Sequence, residues 1–200
     1  MASKKDKNET ATETKTGGET HSFQAEVSRL LDIVANALYS EKEIFIRELV
    51  SNAADACDRL RYKAITEPAL TEGDPDFRIA IEVDKDARTL TIRDNGLGMT
   101  HDEMVENLGT IARSGTTAFV EQLSGDAKQD SNLIGQFGVG FYSAFMVAER
   151  VHVVSRRAGE SEAHAWDSEG RGTFPTAPAE RGATGTPIPL LLPHGAVEGS

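Results

Sequence analysis

The longest regular pattern of apolar and polar positions lies between residues 40 and 66, which contain neither glycine nor proline. Apolar residues recur there at the three- and four-residue spacing of an amphipathic helix, and this spacing predicts a helix that runs to about Ala64. Ser40, with Glu43 three residues later, is a capping-box signature for its first turn. The predicted buried face consists of Phe45, Leu49, Val50, Ala53, Ala56, Cys57 and Leu60.

A row of polar side chains follows one edge of this predicted helix. Glu48, Asn52 and Asp55 stand at positions i, i+4 and i+7, so at 100° per residue they fall within roughly 60° of one another. The row borders the apolar face, and half-buried carboxylates are costly unless a polar group lies against them. Taken alone, the row is most simply a solvated helix face with chance spacing.

Alternation of apolar and polar residues predicts strands on either side of residue 87. Residues 77–83 read as a half-buried strand, residues 84–87 as a turn, and residues 90–92 as a returning strand, so a hairpin is expected. It leads into Asp94-Asn-Gly-Leu-Gly-Met99, where the glycines allow positive φ or a close approach of the backbone to a ligand. Thr100 and Glu103 then form a second capping box, which predicts another helix.

The flanking parts of the chain give further elements. An amphipathic helix is predicted from Val27 to Leu38, and strands are predicted at residues 151–154 and around residues 163–167. The stretch from residue 170 is rich in Gly, Pro, Ala and Thr. Residues 185–192 have the apolar content of a strand, but Pro187 and Pro189 each remove a ladder donor and restrict it to an edge or frayed position.

A glycine-rich turn precedes one more apolar segment. Gly135-Gln-Phe-Gly-Val-Gly140 leads into residues 141–148, which are predicted to form a mostly buried helix. Such a turn at a helix N-terminus can hold an anion with its backbone N–H groups. The spacing is the reverse of the Rossmann fingerprint, so that fold is rejected.

The order of these elements predicts an α+β fold, a two-layer sandwich in which helices pack on one face of a mostly antiparallel sheet. We expect one domain over residues 22–192, preceded by a disordered polar tail at residues 1–21 and followed by an undefined tail at residues 193–200.

Composition limits the possible functions. The 200 residues are 38% hydrophobic and 26% charged, as in an ordinary globular domain, and the net charge of −11 argues against binding nucleic acid or an anionic membrane. Cys57 is the only cysteine, so no disulfide forms within the chain. The first 22 residues are polar and resemble no signal peptide, and the expected compartment is the cytoplasm. One cysteine and scattered histidines predict no zinc site.

Three elements together fit a magnesium–ATP complex. Asn52 offers an amide oxygen to Mg²⁺, which takes only one or two protein ligands. Asp94 is a pure acceptor when ionised, so it can bind the amino group of adenine and would repel the carbonyl oxygen of guanine. The N–H groups between Gly135 and Phe141 can wrap the phosphates, and Glu48 is placed to activate a water molecule.

The chain resembles the ATPase fold shared by DNA gyrase B, the mismatch-repair protein MutL, sensor histidine kinases and the heat-shock protein 90 chaperones. Three stretches look specifically like heat-shock protein 90 in its bacterial form: Phe45-Ile-Arg-Glu-Leu-Val-Ser-Asn-Ala-Ala-Asp-Ala56, Gly109-Thr-Ile-Ala-Arg-Ser-Gly-Thr116 and Ile134-Gly-Gln-Phe-Gly-Val-Gly-Phe-Tyr-Ser143. The resemblance covers about residues 22–192 and implies the fold known as Bergerat-type.

The resemblance also implies a role for each site residue. Glu48 would be the catalytic carboxylate and Asn52 the magnesium ligand. The adenine pocket would be lined by Asp55, Asp94, Gly98 and Thr186, with Met99 packed on the base. Asn107 and Arg113 would approach the ribose and phosphates. The phosphates would be met by Gly135, Gln136, Phe137, Gly138, Val139, Gly140 and Phe141. Residues 109–140 resemble a lid over bound ATP, and residues near Phe23 resemble a strand exchanged between protomers.

The function implied by the resemblance is slow ATP hydrolysis by a domain of a molecular chaperone, with ATP, ADP and Mg²⁺ as ligands. The family's middle domain supplies an arginine and binds clients, and its C-terminal domain forms the homodimer; neither is expected in this chain, which would be a monomer alone. A nucleotide-gated binding module, in which hydrolysis is incidental, is the alternative. A histidine kinase would need a phosphoacceptor histidine, and neither His21 nor His101 lies in a suitable hairpin.

Overall fold

The computed structural model describes residues 18–22, 43–109, 140–171 and 173–194. In chain order its elements are β1 (Glu19–Ser22), α1 (Ile44–Ala64), a 3₁₀ helix (Pro68–Thr71), β2 (Ile79–Asp84), β3 (Thr89–Asp94), α2 (His101–Gly109), a 3₁₀ helix (Gly140–Met146), β4 (Arg150–Arg156), β5 (Ala163–Ser168), β6 (Thr173–Ala179) and β7 (Pro187–Leu191). The predicted helix at residues 27–38 lies outside the described residues.

The described strands form one antiparallel sheet of seven strands in the order β1-β6-β5-β4-β7-β3-β2. The helices cover one face of this sheet, and the predicted α+β class is therefore confirmed. The core between the two layers is apolar and nearly free of solvent; its largest members are Leu49, Ile92, Met104, Tyr142, Trp166, Phe174 and Leu190.

Helix α1 follows its predicted pattern closely. It ends at Ala64 as expected, and it buries Phe45, Leu49 and Leu60 while its polar side faces water. Its start differs, because the helix begins at Ile44 and Glu43 occupies the N-cap without a side-chain capping bond. The capping box predicted from Ser40 needs Glu43 inside the first turn and was therefore wrong.

The capping box of α2 is confirmed in both directions. The Thr100 N–H donates to Glu103 Oε2 at 2.9 Å, and the Glu103 N–H donates to Thr100 Oγ1 at 3.2 Å. At the far end of α2, the Tyr142 hydroxyl donates to the Leu108 carbonyl at 2.7 Å. Both ends of this short helix are thus fixed by side-chain hydrogen bonds.

Strand β1 corrects the predicted extent of the N-terminal tail. Residues 19–21, assigned to a disordered tail, pair with β6, with Glu19 opposite Thr176 and His21 opposite Phe174. The polar composition concealed this strand because it lies at the end of the sheet, where only His21 is partly covered.

Strand β2 was expected to be half-buried, and this prediction was wrong. Ile79, Ile81 and Val83 share a face with the buried Ile92 and Leu90 of β3, yet they are 36%, 50% and 58% exposed. Among the described strands, β2 is last in the sheet at the end opposite β1, and five of its six residues are exposed. Alternation alone identifies a strand's faces, but the position in the sheet decides their burial.

The two proline-containing strands depart most from expectation. Strand β6, with Pro175 and Pro178, lies between β1 and β5 in a stretch that showed only turn-forming composition. Strand β7 was predicted to be an edge or frayed strand, and this was wrong because it lies between β4 and β3. None of the helices in the described ranges is long and apolar enough to cross a membrane.

The geometry of β7 explains how it accepts two prolines. Thr186 and Asp94 donate backbone hydrogen bonds to each other, both at 3.2 Å, so the N–H of Thr186 points towards β3. Because N–H directions alternate along a strand, the nitrogens of Pro187 and Pro189 point to the other side, towards β4. On that side the continuous register covers only the Arg150–Leu191 and Val151–Leu190 pairs. The missing N–H donors therefore fall where the β4–β7 ladder is interrupted.

Candidate functional site

A cavity of about 380 Å³ lies between α1 and the sheet. Its helix wall is formed by Leu49, Asn52, Ala53, Asp55, Ala56 and Arg59, and its sheet wall by Ile92, Asp94, Val153, Thr186 and Ile188. The loop after β3, helix α2 and Phe141 close the sides. The volume suits a nucleobase with part of its sugar, as in other small-molecule sites of proteins.

Of the polar row on α1, Asn52 and Asp55 line the cavity. Both side chains are exposed, which corrects the expectation that they are half-buried. They are accessible because the cavity is open above them, so neither needs a protein partner. Ala53 and Ala56 line the cavity beside them, and their small side chains leave space in it.

Asp94 ends β3 at the base of the cavity and is only 6% exposed. One carboxylate oxygen accepts the Gly96 N–H at 2.9 Å, an arrangement typical of aspartate before a tight turn. Burial raises the pKa of Asp94 from 3.8 to about 6, against the opposing effects of hydrogen bonds from Gly96 and Thr186 and the charge of Arg181. The carboxylate is thus desolvated, and its oxygens have more lone pairs than the hydrogen bonds from Gly96 and Thr186 use, so it can accept a further donor.

The glycines after Asp94 are required by the protein itself. An added Cβ at Gly96 would lie 2.5 Å from the Ala56 carbonyl carbon of α1, and one at Gly98 would overlap the carbonyl group of Arg156. Gly98 also has a φ of 68°, which favours glycine. Of the two expected roles, positive φ is therefore confirmed at Gly98, and Gly98 also lines the cavity.

A buried pair of hydroxyl groups supports the cavity wall. Ser155 Oγ lies 2.8 Å from Thr186 Oγ1 and accepts the Met99 N–H at 2.9 Å. Ser155 is fully buried and Thr186 is 6% exposed, so these bonds are shielded from water. Ser155 was not predicted as a functional residue, because the strand predicted at residues 151–154 ends before it.

The rim of the cavity carries charges that the sequence did not single out. Arg157 forms an ion pair with Glu103, and both line the cavity together with Arg59. Glu103 could be recognised only as a capping residue and Arg157 only as the residue after a strand. Their pairing depends on the contact between α2 and the end of β4, which no local pattern shows.

Glu48 lies beside the cavity, outside its lining. Its side chain is 12% exposed, contacts Arg47 Nη2 at 3.4 Å, and packs against Gly140, where any Cβ would collide with its carboxylate. Gly140 begins a 3₁₀ helix that ends at Met146, where residues 141–148 were predicted to form a mostly buried helix. The close contact brings the N-terminal end of this segment directly onto the catalytic candidate.

The structure brings together most of the predicted site residues that it describes. The cavity is lined by Asn52, Asp55, Asp94, Gly98, Met99, Asn107, Phe141 and Thr186. Glu48 and Gly140 adjoin it through their mutual contact. Arg113 and residues 135–139, Gly135, Gln136, Phe137, Gly138 and Val139, lie outside the described residues, as does most of the predicted lid.

The donor set fits a magnesium ion. Asn52 presents an amide to the open side of the cavity, and Mg²⁺ in nucleotide sites takes one or two protein oxygens while phosphates and water supply the rest. The buried acceptor Asp94 and the exposed amide lie on facing walls. The cavity can therefore hold an apolar ring with a hydrogen-bond donor at its base and a phosphate–metal group at its mouth.

Comparison with known proteins agrees with this geometry. Residues 39–172 match the family described as histidine kinase-, DNA gyrase B-, and HSP90-like ATPase. The chain is 63% identical over 180 residues to the chaperone protein HtpG of Paramagnetospirillum magneticum, and the match covers 90% of this chain and 29% of that protein. It is 58% identical over 180 residues to HtpG of Roseobacter denitrificans, with the same coverage of 90% and 29%.

A third relative, HtpG of Rhodospirillum rubrum, is 60% identical over 177 residues, which are 87% of this chain and 28% of that protein. The chain thus spans less than a third of the length of these curated relatives. The family match extends over more than half of the chain and includes α1, the Asp94 loop and α2. The chain therefore belongs to the histidine kinase-, DNA gyrase B- and HSP90-like ATPases.

Proposed function

We propose that this ATPase domain binds Mg²⁺–ATP in the cavity beneath α1 and hydrolyses it slowly as the nucleotide-driven part of a chaperone. The observation that carries the proposal is Asp94, a desolvated carboxylate at the base of a cavity of about 380 Å³. Its carboxylate keeps lone pairs beyond those that accept from Gly96 and Thr186, and an adenine amino group is a donor of suitable size and polarity.

In this proposal the base lies between α1 and the sheet. Asp94 accepts the exocyclic amino hydrogens, while Asp55, Gly98 and Thr186 complete the polar lining directly or through water. Met99 packs on the ring. Its position at the cavity wall is fixed by the hydrogen bond from its backbone N–H to Ser155. Guanine presents a carbonyl oxygen at the corresponding place, so it should bind far more weakly.

The phosphates extend towards the mouth of the cavity. Asn52 holds Mg²⁺, and Asn107 and Phe141 approach the sugar and phosphates from the sides. Arg113 and the backbone of residues 135–140 complete the phosphate contacts in the proposal. When bound, Mg²⁺ neutralises the charge of the phosphates. Glu48, one helical turn before Asn52 and against Gly140, orients and deprotonates the attacking water.

The chaperone context is proposed from the HtpG relatives. The nucleotide-binding domain would include β1 and extend to residue 192, with residues 109–140 closing as a lid over ATP. Client binding and homodimerisation would belong to parts of the protein beyond this domain, and the cytoplasm would be its compartment. Slow turnover is expected of this domain alone, because the arginine that contacts the γ-phosphate would come from a middle domain.

Titration calorimetry with ATP, ADP and GTP, with and without Mg²⁺, tests the ligand class. We expect adenine nucleotides to bind one site per chain, GTP to bind at least about tenfold more weakly, and Mg²⁺ to strengthen ATP binding. Equal affinity for ATP and GTP would refute the assignment of Asp94. Turnover as fast as that of an efficient kinase would refute the proposed dependence on another domain.

Glu48→Ala tests the catalytic assignment, with Asp58→Ala as a control on the exposed side of the same helix. Glu48→Ala should lower turnover by roughly 10²–10⁴ while ATP affinity changes by less than about threefold. Asp58→Ala should leave both unchanged. Unchanged turnover in Glu48→Ala would favour the nucleotide-gated module, and loss of ATP binding would assign Glu48 to the structure of the pocket.

A further inference from the structure

Potential metal ligands from two distant parts of the chain meet at the β1 end of the sheet. Glu19 and His21 occupy alternate positions of β1 and therefore face the same side. His101 is the first residue of α2. One carboxylate oxygen and one nitrogen from each ring all lie within 4.8 Å of one another. None of these residues lines the nucleotide cavity.

The two histidine side chains converge on a single buried hydroxyl. Nε2 of His21 lies 3.1 Å and Nε2 of His101 lies 3.0 Å from Thr176 Oγ1, and Thr176 is only 1% exposed. A hydroxyl carries one proton and can donate to only one of the two rings. Glu19 Oε2 lies 3.7 Å from the same His21 nitrogen, so an acceptor and two ring nitrogens surround one point.

Each ring is oriented by contacts away from that point. His101 Nδ1 lies 3.5 Å from Asp102 Oδ1, while its Nε2 faces Thr176. The His21 ring stacks on Phe174 at 5.3 Å with an interplanar angle of 19°. The side chains of His21 and His101 are 26% and 30% exposed, so the point is accessible from solvent.

We propose that Glu19, His21 and His101 form a binding site for a divalent transition-metal ion, of which Zn²⁺ is the best match. Two imidazole nitrogens and one carboxylate oxygen form a ligand set that Zn²⁺ accepts, with water in the fourth position. The ring nitrogens disfavour Mg²⁺, which prefers oxygen ligands. The site is therefore chemically separate from the magnesium position at Asn52.

The site would link β1 to α2. Its ligands come from both elements, while Thr176 of β6 lies between them. Among the described strands, β1 otherwise pairs only with β6. A bound ion should therefore slow the detachment of β1 and couple it to α2, whose other face carries Glu103 and Asn107 at the nucleotide cavity.

The proposed site runs against the expectation that scattered histidines form no zinc site. The ligands are separated by about eighty positions in sequence, and only the β1–β6 pairing and the start of α2 bring them together. Glu19 and His21 also lie in the stretch that was predicted to be a disordered tail, so their position on one face of a strand was not predicted.

The test is calorimetric titration of the whole chain with Zn²⁺ in a buffer that does not bind metals. The wild type should bind one ion per chain, and EDTA should reverse the binding. His21→Ala and His101→Ala should each weaken it by about tenfold or more. His152→Ala is the matched control, because His152 pairs with Asp167 on another part of the sheet, and it should leave affinity unchanged.

Hydrogen exchange gives a second readout. Zn²⁺ should slow exchange of the amides in residues 19–22 in the wild type and not in His101→Ala, whereas Mg²⁺ alone should have no such effect. Circular dichroism checks that the variants fold, and His101→Gln offers a less disruptive replacement. Zn²⁺ binding that survives in the double variant His21→Ala/His101→Ala, or that is lost equally in His152→Ala, would overturn the proposal. Absence of Zn²⁺ binding by the folded wild type would do the same.

Discussion

Replacing Asp94 with asparagine should separate stability from nucleotide binding in this domain. The carboxylate is buried at the base of the cavity, and burial raises its pKa from 3.8 to about 6. The folded chain therefore holds a proton on Asp94 more readily than the unfolded chain does. Stability consequently falls as the pH rises from about 4 to about 6, and it stays lowered above that window.

The size of the effect follows from the two pKa values. The gap between 3.8 and about 6 corresponds to about 3 kcal/mol of stability that is lost at pH 8 and retained at pH 4. Asparagine removes the charge but keeps an oxygen that can accept the Gly96 N–H. Asp94→Asn should therefore stabilise the nucleotide-free chain at pH 8 by up to about 3 kcal/mol, or roughly 6–12 °C in melting temperature.

Nucleotide binding should change in the opposite direction. Loss of a charged acceptor for the adenine amino group should cost about 2–3 kcal/mol, which is roughly 30- to 160-fold in ADP affinity. Thermal unfolding at pH 8 and pH 4.5 without nucleotide, and calorimetry with ADP at pH 8, measure the two effects. Asp86→Asn, in the exposed hairpin turn, is the control and should change neither.

Two results would refute this reasoning. A variant that is less stable than the wild type at pH 8 would show that the buried charge is compensated in the free protein. An equal gain in stability at pH 4.5 and pH 8 would show that ionisation of Asp94 is not its cause.

Two further predictions concern the support of the pocket. Gly98→Ala should destabilise the fold by about 3 kcal/mol or more, because Gly98 has a positive φ and an added Cβ would overlap the Arg156 carbonyl group. Gly73→Ala is the control, because open space surrounds Gly73, and equal melting temperatures of the two variants would contradict the prediction. Ser155→Ala should lower the free energy of unfolding in urea by about 1–3 kcal/mol, because it leaves the Met99 N–H and the Thr186 hydroxyl without their partner. It should also weaken ADP binding, and an unchanged free energy of unfolding would contradict the prediction.

Much of the fold was predictable where one segment determines its own conformation. The faces of α1, the hairpin of β2 and β3, and the reciprocal bonds of Thr100 and Glu103 all depend on residues close in sequence. Part of the cavity lining was predictable for the same reason, because Asn52, Asp55 and Asp94 lie in motifs of characteristic spacing.

The remaining features depend on contacts between distant segments. The exposure of β2 depends on its position at the end of the sheet, and the role of Ser155 depends on which loop reaches it. The Glu103–Arg157 pair joins residues on different layers. Local sequence patterns do not show such pairings. The prolines led to wrong predictions for β6 and β7, because a missing backbone N–H weakens a strand only where a neighbouring strand would accept its hydrogen bond.

The interruption between β4 and β7 accounts for both the prolines and the pocket. Over the stretch where the ladder is interrupted, side-chain bonds connect the strands: Ser155 and Thr186 join their hydroxyl groups, and Ser155 also holds the Met99 N–H of the loop after β3. These small side chains, opposite Ala53 and Ala56 of α1, leave the volume that a continuous, bulky core would fill. The prolines thus fall where the ladder is interrupted, and small side chains of the sheet and of α1 in the same region leave the space for a ligand.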